Sequence, residues 1–272
     1  MSASGDAERA TLEAILAADA ARHGRRLAVG VVAAAIVIGA FGLSGLLDGA
    51  RLAEGLPALY TIAGEMLPPD FTRWPAWMKP LADTLAMSVS GTVLAVVLSL
   101  PLAFLAAQST APHPAVYRVA RLTLNALRAI PELIMGILFV AAVGFGVLPG
   151  VLALGLHSVG MVGKFFAEAI EHVDPRPVEA ARAAGATELQ VIMRAVLPQV
   201  LPQMADTALY RWEYNFRAST VMGAVGAGGI GTELIGSLRL MDYPQVSAIL
   251  LCILVCVTAV DALGGVLRRR LA

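Results

Sequence analysis

Glu179-Ala180-Ala181-Arg182-Ala183-Ala184-Gly185, followed thirteen residues later by Pro198, is the stretch on which the reading of this chain turns. It is polar and alanine-rich, so it favours a helix, and it carries a glycine where that helix would stop. Strongly apolar segments flank it on both sides. Such a segment is a short helix held outside a bilayer by its neighbouring spans. Its small side chains let another protein approach closely.

Composition agrees with a membrane chain. The 272 residues are 58% hydrophobic and the mean hydropathy is +0.74, more apolar surface than a soluble core of this size uses. Lys plus Arg and Asp plus Glu each number 20, so no basic footprint points to nucleic acid. Cys252 and Cys256 stand four apart in an apolar run without convergent partners, which argues against a disulfide or a metal site.

Hydropathy gives an all-α polytopic protein of about six spans, each near the roughly 20 residues that cross a hydrocarbon core. They are expected at about 27–47, 81–106, 127–145, 149–168, 201–225 and 244–267. Residues 1–26 form an N-terminal segment, and 27–272 a transmembrane domain with the polar loop at about 169–200. Arginines cluster before the first span (Arg22, Arg25, Arg26), after the last (Arg268, Arg269, Arg270), and around the second and fourth inter-span loops. The positive-inside rule then places both termini and the Glu179 loop in the cytoplasm. The head before the first span is too long and polar for a cleavable signal, and Leu12, Ile15 and Leu16 give it one apolar face. Leu56, Leu59, Ala63 and Met66 form a similar stripe in the outer loop, and Trp74 and Trp77 stand where an interfacial aromatic belt belongs.

Two motifs are decoys. Gly160 to Gly163-Lys164 continues with Phe165 inside an apolar span, so it is no phosphate-binding loop and ATP has no site here. Gly226-Ala227-Gly228-Gly229-Ile230-Gly231 fits Gly-x-Gly-x-x-Gly, but a span rather than a strand precedes it and no carboxylate follows at the dinucleotide offset. Gly226, Gly228, Gly229 and Gly231 instead suit close helix approach, or a bend where a pathway opens. The chain needs no cofactor or metal of its own. No outer loop is long enough to fold a solute-binding domain, so energy and capture fall to other subunits.

The residues hardest to explain lie in the fifth span, Arg211-Trp212-Glu213-Tyr214-Asn215-Phe216-Arg217. A charge at mid-bilayer costs roughly 2.5–3.5 kcal/mol on insertion scales, so three of them do not face lipid. Glu213 and Arg217 are spaced for a structural intrahelical pair. That leaves Arg211, Asn215 and Ser219 as a stripe, either locking helices together or lining a polar path for an anion. His157 in the fourth span is a pathway residue or a satisfied packing histidine. Lys164 and Glu168 snorkel near that span's cytoplasmic end. Met222, before the glycine run, is placed to form an apolar constriction. His23, His113, His157 and His172 are scattered, which disfavours a membrane enzyme. A secondary transporter would leave the Glu179 loop without a purpose.

With these residues in view, the loop resembles the EAA loop of ABC-importer permeases: Glu179, Ala180, Ala181, Gly185, Leu197 and Pro198 fall in register, while Ala195 stands where that pattern has Ile. From about Leu81 onward, including Arg128-Ala129-Ile130-Pro131-Glu132 and the 225–231 glycine run, the chain is similar to the permease of phosphonate-type ABC importers. The resemblance implies a type I ABC importer permease fold in a bacterial inner membrane and a homodimer around a two-fold axis. It further implies two cytoplasmic ATPase subunits that carry ATP and Mg, and an extracytoplasmic solute-binding protein. The six matched loop residues would couple to the ATPase. The substrate would be a phosphonate, with phosphite or phosphate as the alternative.

Overall fold

The computed structural model describes the backbone of residues 3–271, with the side chains of residue 19 and of 22–270. All regular structure among the described residues is helical. The chain forms two compact units, Met1–Gly64 and Glu65–Ala272.

In the first unit, α1 (Ala3–Leu43) carries the first span, which is apolar from Arg22 to Leu43 and exposed throughout. α2 (Gly49–Glu65) begins after a turn and shows Leu56 and Leu59 at its surface. The side chains of Leu12, Ile15 and Leu16 lie outside the described ones.

The second unit holds α3 (Trp74–Ala106), α4 (Pro114–Ala129), α5 (Glu132–Val143), α6 (Val147–Glu171), α7 (Pro175–Ala183), α8 (Glu188–Val191), α9 (Leu197–Met222), α10 (Ile230–Arg239) and α11 (Tyr243–Leu271). Four described helices are long and apolar enough to cross a membrane, and two bent pairs raise the number to six. The third span was expected as one run over 127–145; it is instead broken, with α4 and α5 meeting at 86°. Pro131 is the cause, because it pushes the preceding Ile130 into an extended conformation (φ −87°, ψ 121°) that no helix continues through. The fifth span bends by 47° at the glycine run before α10.

α6 is the centre of the bundle, with 61% of its apolar window buried. Its small residues admit the neighbours: Gly155 lies against Leu94 of α3, and Gly160 against the α4 backbone at Leu124 and Arg128. Leu124, Phe166, Ile170, Val200 and Met204 fill the half of the core that leads to α7. Trp77 belongs to the opposite half, packed with Ile230, Ala248 and Ile249 and 1% exposed. The expected interfacial belt is thus reduced to Trp74, because position 77 turns toward α10 and α11.

Candidate coupling and translocation sites

The Glu179 loop is built from local capping chemistry. Asp174 caps α7 by accepting from the Arg176 N–H at 3.0 Å, and Pro175 starts the helix where a missing donor costs nothing. Hydrogen bonds from Arg176 hold the Asp174 carboxyl below its ordinary range. α7 ends in a paired terminal motif: Gly185 N–H donates to the Arg182 carbonyl and Ala186 N–H to that of Ala181. Gly185 closes it at φ +79°, a conformation that favours glycine.

Thr187 and Gln190 then cap α8 reciprocally, and Arg182 pairs with Glu188 at 3.0 Å, pinning the two short helices together. Glu179 and Ala180 face solvent and Ala181 is half-buried. Gln199 straps this unit to α9 by accepting from the Asp174 N–H at 3.0 Å and donating to the Ala195 carbonyl at 2.6 Å. A π-helical turn (Ile192–Val196) joins α8 to α9, directly before Pro198, whose ring has no N–H for the regular ladder. Leu197 is half-buried and Pro198 exposed there, while Ala195 is buried.

Near the middle of α6 and α9, polar side chains converge. Arg211 Nε donates to Ser158 Oγ at 2.7 Å, Ser158 to Asn215 Oδ1 at 3.0 Å, and Asn215 Nδ2 to Thr92 Oγ1 at 2.9 Å. This line ties α9, α6 and α3 together, and Arg211, Ser158 and Asn215 are at most 1% exposed. Ser219 donates to the carbonyls of Phe216 and Thr84.

Asn215 and Ser219 therefore turn inward within the chain's own bundle, toward α6 and α3. Met222 is likewise a core residue, packed with Met87, Met135 and Ala153, rather than a constriction. The inner face of α9 buries all three.

Glu213 and Arg217 do not pair with each other. Arg217 donates to Asp261 at 2.9 and 3.1 Å, and Glu213 Oε1 lies 2.8 Å from Arg268 Nη2, an ion pair without hydrogen-bond alignment. Both side chains reach α11 instead, where Gly264 gives Glu213 room against the backbone. An intrahelical pair contributes only about 0.2–0.5 kcal/mol, so cross-helix partners win. Asp261 was not singled out in the sequence.

His157 joins a cluster at the break in the third span. Its Nδ1 meets the Ile130 carbonyl, freed by the break, at 3.0 Å, and its Nε2 lies 3.3 Å from Glu132 Oε2. Tyr214 Oη donates to Glu132 Oε1 at 2.9 Å, and the Arg211 guanidinium stacks 4.1 Å over the Tyr214 ring. Glu132 was visible in sequence only as part of a quoted motif; the proline before it is the signal that could have marked it. Lys164 and Glu168 pair at 3.5 Å toward the α7 end of α6.

The glycine run forms an elbow. Gly226, Gly228 and Gly229 all have positive φ, Gly146 N–H donates to the Gly226 carbonyl, and Thr84 Oγ1 accepts the Ile230 N–H at 2.8 Å. Gly231 crosses the Thr220 carbonyl too closely for a side chain. Among the described residues no group of His, Cys, Asp and Glu could hold a metal.

Comparison with known proteins agrees with this architecture. The family described as "Binding-protein-dependent transport system inner membrane component" matches residues 99–272. The phosphite transport system permease protein PtxC of Stutzerimonas stutzeri is 72% identical over 83% of this chain and 82% of its own length. The putative phosphite permease HtxC of the same organism is 39% identical over 92% of this chain and 88% of its own. The phosphate-import permease PhnE of Mycolicibacterium smegmatis is 47% identical over 80% of this chain and 41% of its own. Among solved structures, the inward-facing MetNI methionine ABC transporter aligns with a TM-score of 0.63 at 23% identity, covering 72% of this chain and 96% of that one, which is a likeness of fold. With its all-helical broken-span bundle, its loop in register and this family match, the chain belongs to the binding-protein-dependent transport system inner membrane components, as a multi-pass ABC-importer permease subunit that is not itself an enzyme.

Proposed function

We propose that this chain forms the translocation pathway of an importer for a small phosphorus oxyanion, with phosphite as its substrate. The carrying observation is the 72% identity to a phosphite permease over most of both chains. The sequence pattern alone points first to phosphonates; the relatives support its alternative. A phosphate permease at 47% identity makes phosphate the second reading.

Two copies of the chain pair in a bacterial inner membrane with both termini cytoplasmic, in line with the arginine bias. Glu132 and His157 support the pairing: their side chains are 22% and 13% exposed near mid-span, where facing lipid is costly, so they face a second copy or a wet path. ATP and Mg sit on two partner ATPase chains, and an extracytoplasmic binding protein delivers the anion. Glu179, Ala180 and Ala181 of α7 dock on the ATPase, and its closure drives alternating access. The glycine elbow at 226–231 supplies the bend on the outer side.

The test is uptake by proteoliposomes holding the permease, its ATPase and its binding protein. ATP-dependent accumulation of phosphite, with phosphate and alkylphosphonates slower, is expected. Uptake of alkylphosphonate without phosphite would overturn the assignment. Arg211→Ala should lower uptake while basal ATP hydrolysis persists. Arg211→Lys should recover only part, since an ammonium lacks the planar fork that matches an oxyanion.

A further inference from the structure

We propose that Glu132 is a built-in occupant of an oxyanion site. In the resting chain its carboxylate holds the Tyr214 hydroxyl and lies against His157, beside Arg211, where a passing phosphorus oxyanion takes its place when α5 moves. The inference rests on the oxyanion-permease reading above and names the site within it.

The first observation is where the carboxylate's partners are. Oε1 of Glu132 accepts from Tyr214 and Oε2 lies 3.3 Å from His157 Nε2, and neither oxygen makes a hydrogen bond to the nearby guanidinium. A carboxylate placed only to neutralise Arg211 would make the two-pronged contact that such pairs favour. Here the guanidinium lies over the Tyr214 ring instead.

The second is what Arg211 lacks. It is 1% exposed, yet its Nη2 has no hydrogen-bond partner. Its Nη1 meets only the Met161 sulfur at 3.3 Å, a weak acceptor, and Ser158 takes Nε. A buried cation with an unpartnered nitrogen is costly unless an anion completes it. A tetrahedral oxyanion has the oxygens to satisfy Arg211, Tyr214 and His157 together, whereas one carboxylate has two.

The third is that the occupant sits on a short helix with a break at each end. α5 is a separate helix of 12 residues. Pro131 and the 86° break bound its start, and Gly144 and Gly146, both at positive φ, bound its end. A few degrees of rotation of α5 withdraws the carboxylate without unmaking the Arg211–Ser158–Asn215 line, which belongs to α6 and α9. A half-helix that begins at a break within a span also presents its positive end to whatever anion replaces Glu132.

The experiment uses the whole permease–ATPase complex in detergent, without binding protein, titrated with inorganic phosphite. If the carboxylate fills the site nine-tenths of the time or more, removing it raises apparent affinity about tenfold. Glu132→Gln and Glu132→Ala should both show that gain, and adding Arg211→Ala should abolish it. The same wild-type preparation is reconstituted with binding protein and assayed for uptake. No gain in either Glu132 variant, with wild-type phosphite uptake intact, overturns this inference and leaves the proposed function standing. Failure of both variants to assemble also overturns it, because the carboxylate would then be a structural tie. Wild-type complex that imports no phosphorus oxyanion would refute the proposed function itself, whatever the titration showed.

Discussion

Gly160→Ala is the sharpest test of the packing that positions the mid-membrane cluster. A Cβ at this position would lie 2.6 Å from the Leu124 carbonyl oxygen and 2.7 Å from the Arg128 nitrogen, both backbone atoms of α4. Reaching ordinary contact near 3.4 Å requires α4 to retreat by about 0.8 Å, the difference between 3.4 and 2.6. Overpacking of this kind costs about 1–3 kcal/mol, and a backbone obstacle that cannot rotate away puts this site at the upper end. For a chain of this size that lowers the melting midpoint by about 6–12 °C at 3 kcal/mol. Gly155→Ala is the internal control, since its obstacle is the Leu94 side chain, which can move. Gly236→Ala meets nothing within 4 Å and should gain up to about 1 kcal/mol from helix propensity. Thermal unfolding of the purified complex, followed by intrinsic fluorescence, gives the three midpoints. The retreat also draws Ile130 from His157, so uptake should fall with stability. A Gly160→Ala midpoint at or above that of Gly155→Ala would refute the claim that α4 and α6 touch backbone to backbone.

Other expectations follow from the same contacts. Gly185→Val forces a β-branched residue to φ +79° in open space, so roughly 1–2 kcal/mol of strain falls on the loop alone; transport should drop while membrane insertion and yield hold, and normal uptake would make the loop a plain connector. Double-mutant cycles should find coupling between Glu213 and Arg268 and between Arg217 and Asp261, about 1 kcal/mol or less for the more exposed second pair, and none between Glu213 and Arg217. Cysteines at Leu189 and Leu240, both exposed, should label from opposite sides of the membrane; labelling from one side would overturn the span order. The Asp174 cap has its carboxyl pKa depressed, so its contribution is present above the ordinary carboxylate range and lost only as pH falls through the lowered value. Stability should therefore be flat across neutral and mildly acidic pH, slightly lower for Asp174→Asn, which keeps the cap oxygen but loses the Arg176 ion pair, and lower again for Asp174→Ala.

Span number, the loop and its glycine stop were legible because each rests on a local rule: apolar length, cap chemistry, a left-handed turn. The Glu213 partner was not. Spacing along α9 offers Arg217, but the choice is made by α11, fifty residues on, and sequence periodicity carries no record of which faces meet. Trp77 misled for the same reason. Its residue type suits an interface, yet its azimuth on α3 points into the core. The Arg211–Asn215–Ser219 stripe was recognised as one face, and whether that face opens to a path or to α3 and α6 is settled only by tertiary packing. Glu132 could have been placed by one further step, since Pro131 in an apolar run signals a broken span and a broken span leaves polar groups to be met.

Arg121 of α4 grips Glu171 at the end of α6 with its Nη2, 2.9 Å from each carboxylate oxygen, while its Nε holds the last-turn carbonyl of Ala106 in α3 at 2.7 Å. One guanidinium from the middle of α4 thus clamps the ends of α3 and α6, three residues before Asp174 opens the loop proposed to meet the ATPase. Mechanically, that makes the clamp a yoke. A thrust delivered at Asp174 is shared by α6 and α4 rather than borne by α6 alone, and α4 behaves as a strut whose far end abuts the kink at Pro131. The break that carries Glu132 therefore sits at the far end of that strut.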